Sequence, residues 1–328
     1  MLTVYPGERE GVNGRSGERR PDIKEGRRPV DPSEVQRHRR TRPPGPGDLV
    51  AIALTLALLT GALGSPGTPM RPAGARAPAD AGAKVRLPPP VPCPSCWRPP
   101  LRTSWQIQLD GAIDAAVRVG MIEVDLFDTP ASTVAALHAR GMRVLCYLDA
   151  GTWERWRPDA SRFPASVLGR PDAGWSGERW LDVRRLGALA PIMRSRLERC
   201  RSKGFDGVDL DNVDGYANPT GFPLTATDQL RYDTWLANEA HRLLLVAALK
   251  NDPGQVPGLL PYFDMALDEQ CFQYGTCRRL LPFVRAGKPV FDIEYALPLS
   301  AFCPRADALG LNAIRKRLAL GAWRAPCP

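Results

Sequence analysis

Gly204-Phe205-Asp206-Gly207-Val208-Asp209-Leu210-Asp211-Asn212-Val213-Asp214-Gly215-Tyr216 is a short apolar-alternating run that climbs into a cluster of acids and an amide. A β-strand places residues i and i+2 on one face, so Asp209 and Asp211 project together while Val208 and Leu210 face the other way. Carboxylates crowded at the end of a buried strand are desolvated and repel each other, so folding alone does not favour them. Barrels of alternating strands and helices put their chemistry at such strand ends. The pattern therefore reads as an active site rather than a solvated acidic loop.

Working outward, strand-like runs recur at Trp105–Leu109, Ile122–Phe127, Arg143–Leu148, Phe205–Leu210, Leu244–Leu249, Tyr262–Leu267 and Pro289–Glu294, with a weaker one at Leu311–Ile314. Helical patterns separate them. Ala131–Arg140 stops at Gly141, Pro191–Lys203 opens on a proline and stops at Gly204, and Thr225–Leu244 opens on Thr225-x-x-Asp228. Eight strands alternating with helices predict an α/β fold of the (β/α)8 TIM-barrel type. An open doubly wound sheet is the alternative, and no Gly-rich phosphate loop follows the first strand to support it.

The strand ends are strongly polar. Gln106 shares a face with Gln108, Tyr147 with Asp149, and Asp292 with Glu294. Asp125 ends the second run, Lys250-Asn251-Asp252 the fifth and Asp268-Glu269-Gln270 the sixth. A ring of acids, amides and aromatics contributes nothing to packing a barrel, so it predicts a carboxylate-rich substrate cleft. Asp209, Asp214, Asp149 and Asp125 are candidates to hold a cationic amino sugar through charge-assisted hydrogen bonds. Lys250 is placed to lower carboxylate pKa values or to pin a nucleophile. Trp105, Trp153, Tyr147, Tyr216 and Tyr295 are candidate sugar platforms.

Trp105-Gln106-Ile107-Gln108-Leu109, Cys146-Tyr147-Leu148-Asp149-Ala150-Gly151, the acidic run through Tyr216, Leu249-Lys250-Asn251-Asp252, Glu269-Gln270-Cys271-Phe272 with Tyr274, and Gly287-Lys288-Pro289-Val290 with Glu294-Tyr295 are six motifs in register from about Thr103 to Cys327. Together they resemble glycoside hydrolase family 114, the endo-α-1,4-polygalactosaminidases. The resemblance implies a TIM barrel that cleaves internal α-1,4 bonds of galactosamine-containing polysaccharide, with no metal or organic cofactor. It places the catalytic acids on Asp211 and Glu269, with Gln106, Asn212, Asn251, Glu294 and Tyr295 among the residues that line the substrate. Asp268 stands where the family more often has Asn, so two neighbouring acids compete for the inward position. A retaining mechanism is expected, with Asp211 as nucleophile held ionised by Lys250 and Asn212. Glu269 is expected as the acid/base, its pKa raised by Asp268. The alternative is a non-catalytic polysaccharide-binding protein on the same barrel.

The formal charge of +9 sits almost entirely in the N-terminal part. Residues 1–102 carry 17 Lys+Arg against 9 Asp+Glu, and the remainder 27 against 26, so the domain itself has no basic bias toward nucleic acid. Residues 1–48 read as a disordered basic tail. Residues 49–64 (LVAIALTLALLTGALG) form an uncharged apolar stretch, a signal-peptide core or an uncleaved signal-anchor. Residues 65–102 read as a Pro-rich linker dispensable for catalysis, and residues 103–328 as the glycoside hydrolase domain. A secreted or extracytoplasmic monomer is expected, touching the membrane only through residues 49–64.

Eight cysteines in an exported chain imply disulfides, with Cys271–Cys277, Cys303–Cys327 and the linker Cys93–Cys96 as local pairs. Cys146 and Cys200 read equally as buried thiols or a bridge. Only His38, His138 and His241 exist, which leaves neither a Ser-His-Asp triad nor a His-ligated metal. Val213 breaks the calcium-loop pattern, and a divalent ion between Asp209 and Asp211 is the one metal arrangement the spacing permits.

Overall fold

The computed structural model describes residues 86–328. The basic tail, the apolar stretch and the first part of the linker lie outside the described residues. Among these residues no helix is long and apolar enough to cross a membrane.

All eight expected strands form, each shifted by no more than a few residues. They are β1 (Trp105–Gln108), β2 (Met121–Asp125), β3 (Arg143–Asp149), β7 (Gly207–Asp211), β8 (Val246–Lys250), β9 (Met265–Glu269), β10 (Val290–Glu294) and β11 (Asn312–Lys316). They pair in parallel in that order, and a short antiparallel β12 (Arg324–Pro326) follows β11. The sheet curls until β1 meets β11 and β12: Trp105 Nε1 donates to the Asn312 carbonyl at 2.9 Å and Arg324 to the Trp105 carbonyl at 3.0 Å. The result is a nearly closed barrel sheet wrapped by helices, among them α1 (Ala131–Ala139), α2 (Leu186–Lys203), α3 (Ala226–Arg242) and α4 (Leu299–Leu309).

Local signals explain most boundaries. Thr225 accepts from the Asp228 N–H at 3.1 Å while Asp228 accepts from the Thr225 N–H at 3.0 Å, a capping box that starts α3. Gly204, at φ +91°, ends α2. That helix starts five residues before the expected Pro191. Pro191 therefore lies inside the helix, where it has no N–H to give the Gly187 carbonyl four residues back.

A second element was not anticipated. Between β3 and α2, β4 (Thr152–Glu154), β5 (Leu168–Pro171) and β6 (Glu178–Leu181) form a small antiparallel sheet in the order β4-β6-β5 beside the catalytic end of β3. Its strands are too short and too broken by Gly and Pro to carry a periodic signal.

Four disulfides join all eight cysteines: the three local pairs, and Cys146–Cys200, which ties β3 to α2. The Pro-rich segment is no loose linker near its end. Pro88, Pro89 and Val91 bond Tyr262, Asn238 and His241, and Cys93 and Cys96 pack beneath Trp105, Met121 and Leu145. The packed body begins near Leu87 rather than Thr103.

Candidate active site

Strand register sorts the side chains. Asp125 pairs with Tyr147, Tyr147 with Asp209, Asp149 with Asp211, Asp209 with Ala248, and Lys250 with Leu267. These residues and Glu269, two beyond Leu267, therefore share the interior face. The barrel grades upward from an apolar floor of Trp105, Met121, Leu145, Val246, Met265 and Phe291 to an acidic mouth.

At the mouth Lys250 stands between two carboxylates, with Nζ 3.0 Å from Asp211 Oδ1 and 3.4 Å from Glu269 Oε2. Those two oxygens therefore lie no farther apart than about 6.4 Å, the sum of the two distances. Burial alone would lower the lysine's pKa, but Asp211, Glu269, Asp209 and Glu123 hold it well above the usual value. Asp211 also accepts from the Tyr147 hydroxyl at 2.8 Å and from the Asn212 N–H at 2.9 Å. Glu269 accepts from Asn251 Nδ2 at 2.8 Å and from the Tyr295 hydroxyl. Burial pushes both phenols well up, so Tyr147 and Tyr295 stay protonated donors.

The backbone aims these groups by one device used three times. Asn212, Asn251 and Gln270, each the residue after Asp211, Lys250 or Glu269, take left-handed φ values of 60°, 51° and 61°. Asparagine tolerates this region better than most residues. Gly151 is required for another reason: a Cβ there would stand 1.6 Å from the Asn212 carbonyl oxygen.

Two expectations need correction at Glu269. Asp268 does not compete for the site, because it pairs in register with Asp292 on the opposite face of the sheet. Nor is the pKa of Glu269 raised: burial raises it, but Lys250, Tyr295 and Asn251 outweigh burial and set it below the usual carboxylate value.

Several candidate substrate contacts lie elsewhere. Trp105 is 1% exposed at the barrel floor, stacked edge-on against Phe291. Gln106 faces outward and donates to the Ala322 carbonyl at 2.8 Å. Glu294 also faces outward, accepting from the Phe272 N–H at 2.8 Å. Asp125 points inward but is sealed by a bidentate pair with Arg157 at 2.9 and 2.6 Å. Asp149 is buried, bonded to Thr152 and to Asn212 Nδ2. Asp209 is fully buried, one pleat below Asp211. Asp214 and Tyr216 are half-buried on the loop after β7, and the Tyr216 hydroxyl donates to Asp252 at 3.0 Å. Asp211, Asn212, Asn251, Glu269 and Tyr295 remain partly open to solvent around Lys250.

Arg157 escaped sequence reading because it belongs to the unanticipated sheet. It binds Glu154 at 2.6 Å as well as Asp125, and these ion pairs hold its pKa up against burial. Among the described residues, two clusters bring three potential metal-ligand atoms within 4.8 Å of one another, Asp268/Cys271/Asp292 and Asp149/Glu154/Glu178. The Cys271 sulfur is consumed by a disulfide, and the second cluster bonds Thr152, Asn212 and Arg157. Between Asp209 and Asp211, the positive charge is the Lys250 ammonium.

Residues 89–328 match the model of glycoside-hydrolase family GH114. Among solved structures, Aspergillus fumigatus Ega3, in complex with galactosamine, is 37% identical with a TM-score of 0.68, over 70% of this chain and 97% of that one. The glycoside hydrolase domain of PelA from Pseudomonas aeruginosa shares the fold at 17% identity and a TM-score of 0.55, over 67% of this chain and 96% of that one. An uncharacterised protein of Deinococcus radiodurans is 28% identical over 286 residues, 73% of this chain and 90% of its own length. With its barrel, its paired carboxylates and these similarities, the chain belongs to glycoside hydrolase family GH114.

Proposed function

We propose that this glycoside hydrolase is an exported, endo-acting enzyme that cleaves α-1,4 bonds in a galactosamine polysaccharide with retention of configuration. The observation that carries this reading is the Lys250 ammonium shared by Asp211 and Glu269. The two oxygens it bridges lie within about 6.4 Å of each other, a span that admits the roughly 5–5.5 Å of a retaining pair. The galactosamine bound to Ega3 supports the sugar class. Four disulfides support an oxidising compartment.

In the first step an Asp211 oxygen bonds to the anomeric carbon while protonated Glu269 gives its proton to the departing glycosidic oxygen. Lys250 pairs with Asp211 at 3.0 Å and also holds Glu269 below the usual carboxylate value, so the protonated Glu269 that starts the reaction is the minority form in the free enzyme at neutral pH. Once Asp211 is esterified, Glu269 is the remaining mouth carboxylate beside the ammonium. It is then held ionised, ready to take a proton from the water that attacks the anomeric carbon and frees Asp211. Tyr147 and Tyr295 keep the two carboxylates aimed throughout.

The test is incubation with deacetylated galactosaminogalactan, reading oligosaccharide release and, by NMR, the first-formed reducing end. Internal cleavage giving the α-anomer is expected. A β-anomer overturns retention, and an uncut polymer overturns the substrate.

A further inference from the structure

Directly below the site, two carboxyl groups meet with nothing else to bond. Glu123 on β2 and Asp209 on β7 both point into the barrel, and both are 0% exposed. All four of their oxygens are buried, and none accepts a hydrogen bond from a donor elsewhere in the described protein. What remains to each carboxyl is the other. Two buried carboxylates without donors do not both stay ionised; a proton between them turns repulsion into an O–H to O⁻ hydrogen bond. Burial is the leading cause raising both groups, Asp209 to about 7. The charged groups facing the pair are Lys250 from β8, Asp211 from the end of β7 and Glu269 from β9.

We propose that Glu123 and Asp209 share one proton and act as a positioning pair, whose single negative charge holds the Lys250 ammonium from below where it bridges Asp211 and Glu269. The inference rests on the assignment of those two carboxylates as the reacting pair. The magnitude of the charge matters. With no charge beneath it, Lys250 is drawn wholly to the mouth, where it over-stabilises ionised Glu269 and opposes its protonation. With two charges beneath it, after the shared proton is lost in alkali, Lys250 is drawn down and its bridge loosens. The pair thus sets the alkaline limb of the pH–rate profile.

Glu123→Gln and Asp209→Asn each replace the shared proton by an amide donor, so that the pair carries no more than one negative charge however alkaline the solution. Each single variant is expected to move the alkaline limb of kcat upward in pH. The double variant carries no charge and is expected to lower kcat more than either single. The expected loss is roughly 100-fold at unchanged KM, the scale of a misplaced catalytic group. Circular dichroism confirms that each variant is folded. A double variant no slower than the singles, or single variants with the native alkaline limb, overturns the proposal. Infrared spectroscopy without substrate supplies an independent reading: a protonated-carboxyl band in the native protein, lost in alkali and missing from both single variants, is expected. If that band is present but the native enzyme leaves the polymer uncut, the substrate assignment fails and the proton-sharing pair survives. If the polymer is cut and the band is absent, the pair fails alone.

Discussion

Asn251 grips Glu269 twice: its Nδ2 donates to Glu269 Oε2 at 2.8 Å, and its Oδ1 accepts from the Glu269 backbone N–H at 2.9 Å. The grip is possible because Asn251 takes a left-handed φ of 51°, which turns its amide across β9. Asn251→Asp keeps the shape but sets a like charge against Glu269, so the pKa of Glu269 should rise. The alkaline limb of the kcat profile, where protonated Glu269 is lost, should move up in pH, and kcat should fall roughly 10- to 100-fold, as when a positioned proton donor is misplaced. Kinetics across pH check it; an unmoved limb means that the clamp does not tune Glu269.

Asp211→Asn and Glu269→Gln should each remove activity by roughly 100- to 10,000-fold while leaving the fold intact. Asp268→Asn should cost little, since that side chain faces away from Lys250. Rates of polymer cleavage by the three purified variants test the assignment. An Asp268→Asn enzyme as dead as Glu269→Gln would exchange their roles.

Lys250→Met removes the ammonium that both carboxylates share. Repulsion across about 6.4 Å or less is then unscreened and the carboxyl pKa values should rise. The optimum should move to higher pH as kcat falls. The measurement is a pH–rate profile beside that of the native enzyme.

Stability should fall from about pH 5 to about pH 8. Burial raises Asp209 and Asp252 to about 7 and Glu178 to about 10. A carboxyl raised in the folded state contributes stability fully present below its unfolded pKa of about 4, and lost as pH rises through the folded value. Glu269, lowered, acts in the opposite sense: its contribution is present above the unfolded value and is lost as pH falls through the folded one. Thermal melts should therefore peak in mildly acidic buffer, and Asp252→Asn should flatten the alkaline decline. A Tm that rises toward pH 8 contradicts the burial argument.

A chain starting at Leu87 should match the full chain in activity and Tm, whereas one starting at Leu101 should melt several degrees lower. The shorter chain loses the bonds to Tyr262, Asn238 and His241 and the Cys93–Cys96 floor. For a domain of this size each kcal/mol lost lowers Tm by about 2–4 °C. Equal melting temperatures would return the boundary to the edge of β1.

The barrel was legible because each strand carries its own period-two signal and ends in polar residues. Asp211, Lys250 and Glu269 were legible because three consecutive strands end on them. What failed was side-chain direction. Gln106 and Glu294 sit at odds with the inward face by a single residue, and a one-residue shift turns a side chain to the other face. Asp125 failed differently. Its direction was right, but Arg157, from a sheet too short to announce itself, reaches it first. The pKa of Glu269 depends on Lys250 at the end of β8, Asn251 just after it and Tyr295 just after β10, and its sequence neighbour Asp268 says nothing of them.

The strap at Leu87–Cys96 fastens to the end of α3 and to the residues before β9, at the strand-start pole of the barrel. Asp211 and Glu269 open at the other pole. Whatever precedes Arg86 is thus joined to the back of the enzyme, and a tether to any surface through that end would point the catalytic mouth outward. A polymer as bulky as an exopolysaccharide would approach from the free side, with the attachment never crossing its path.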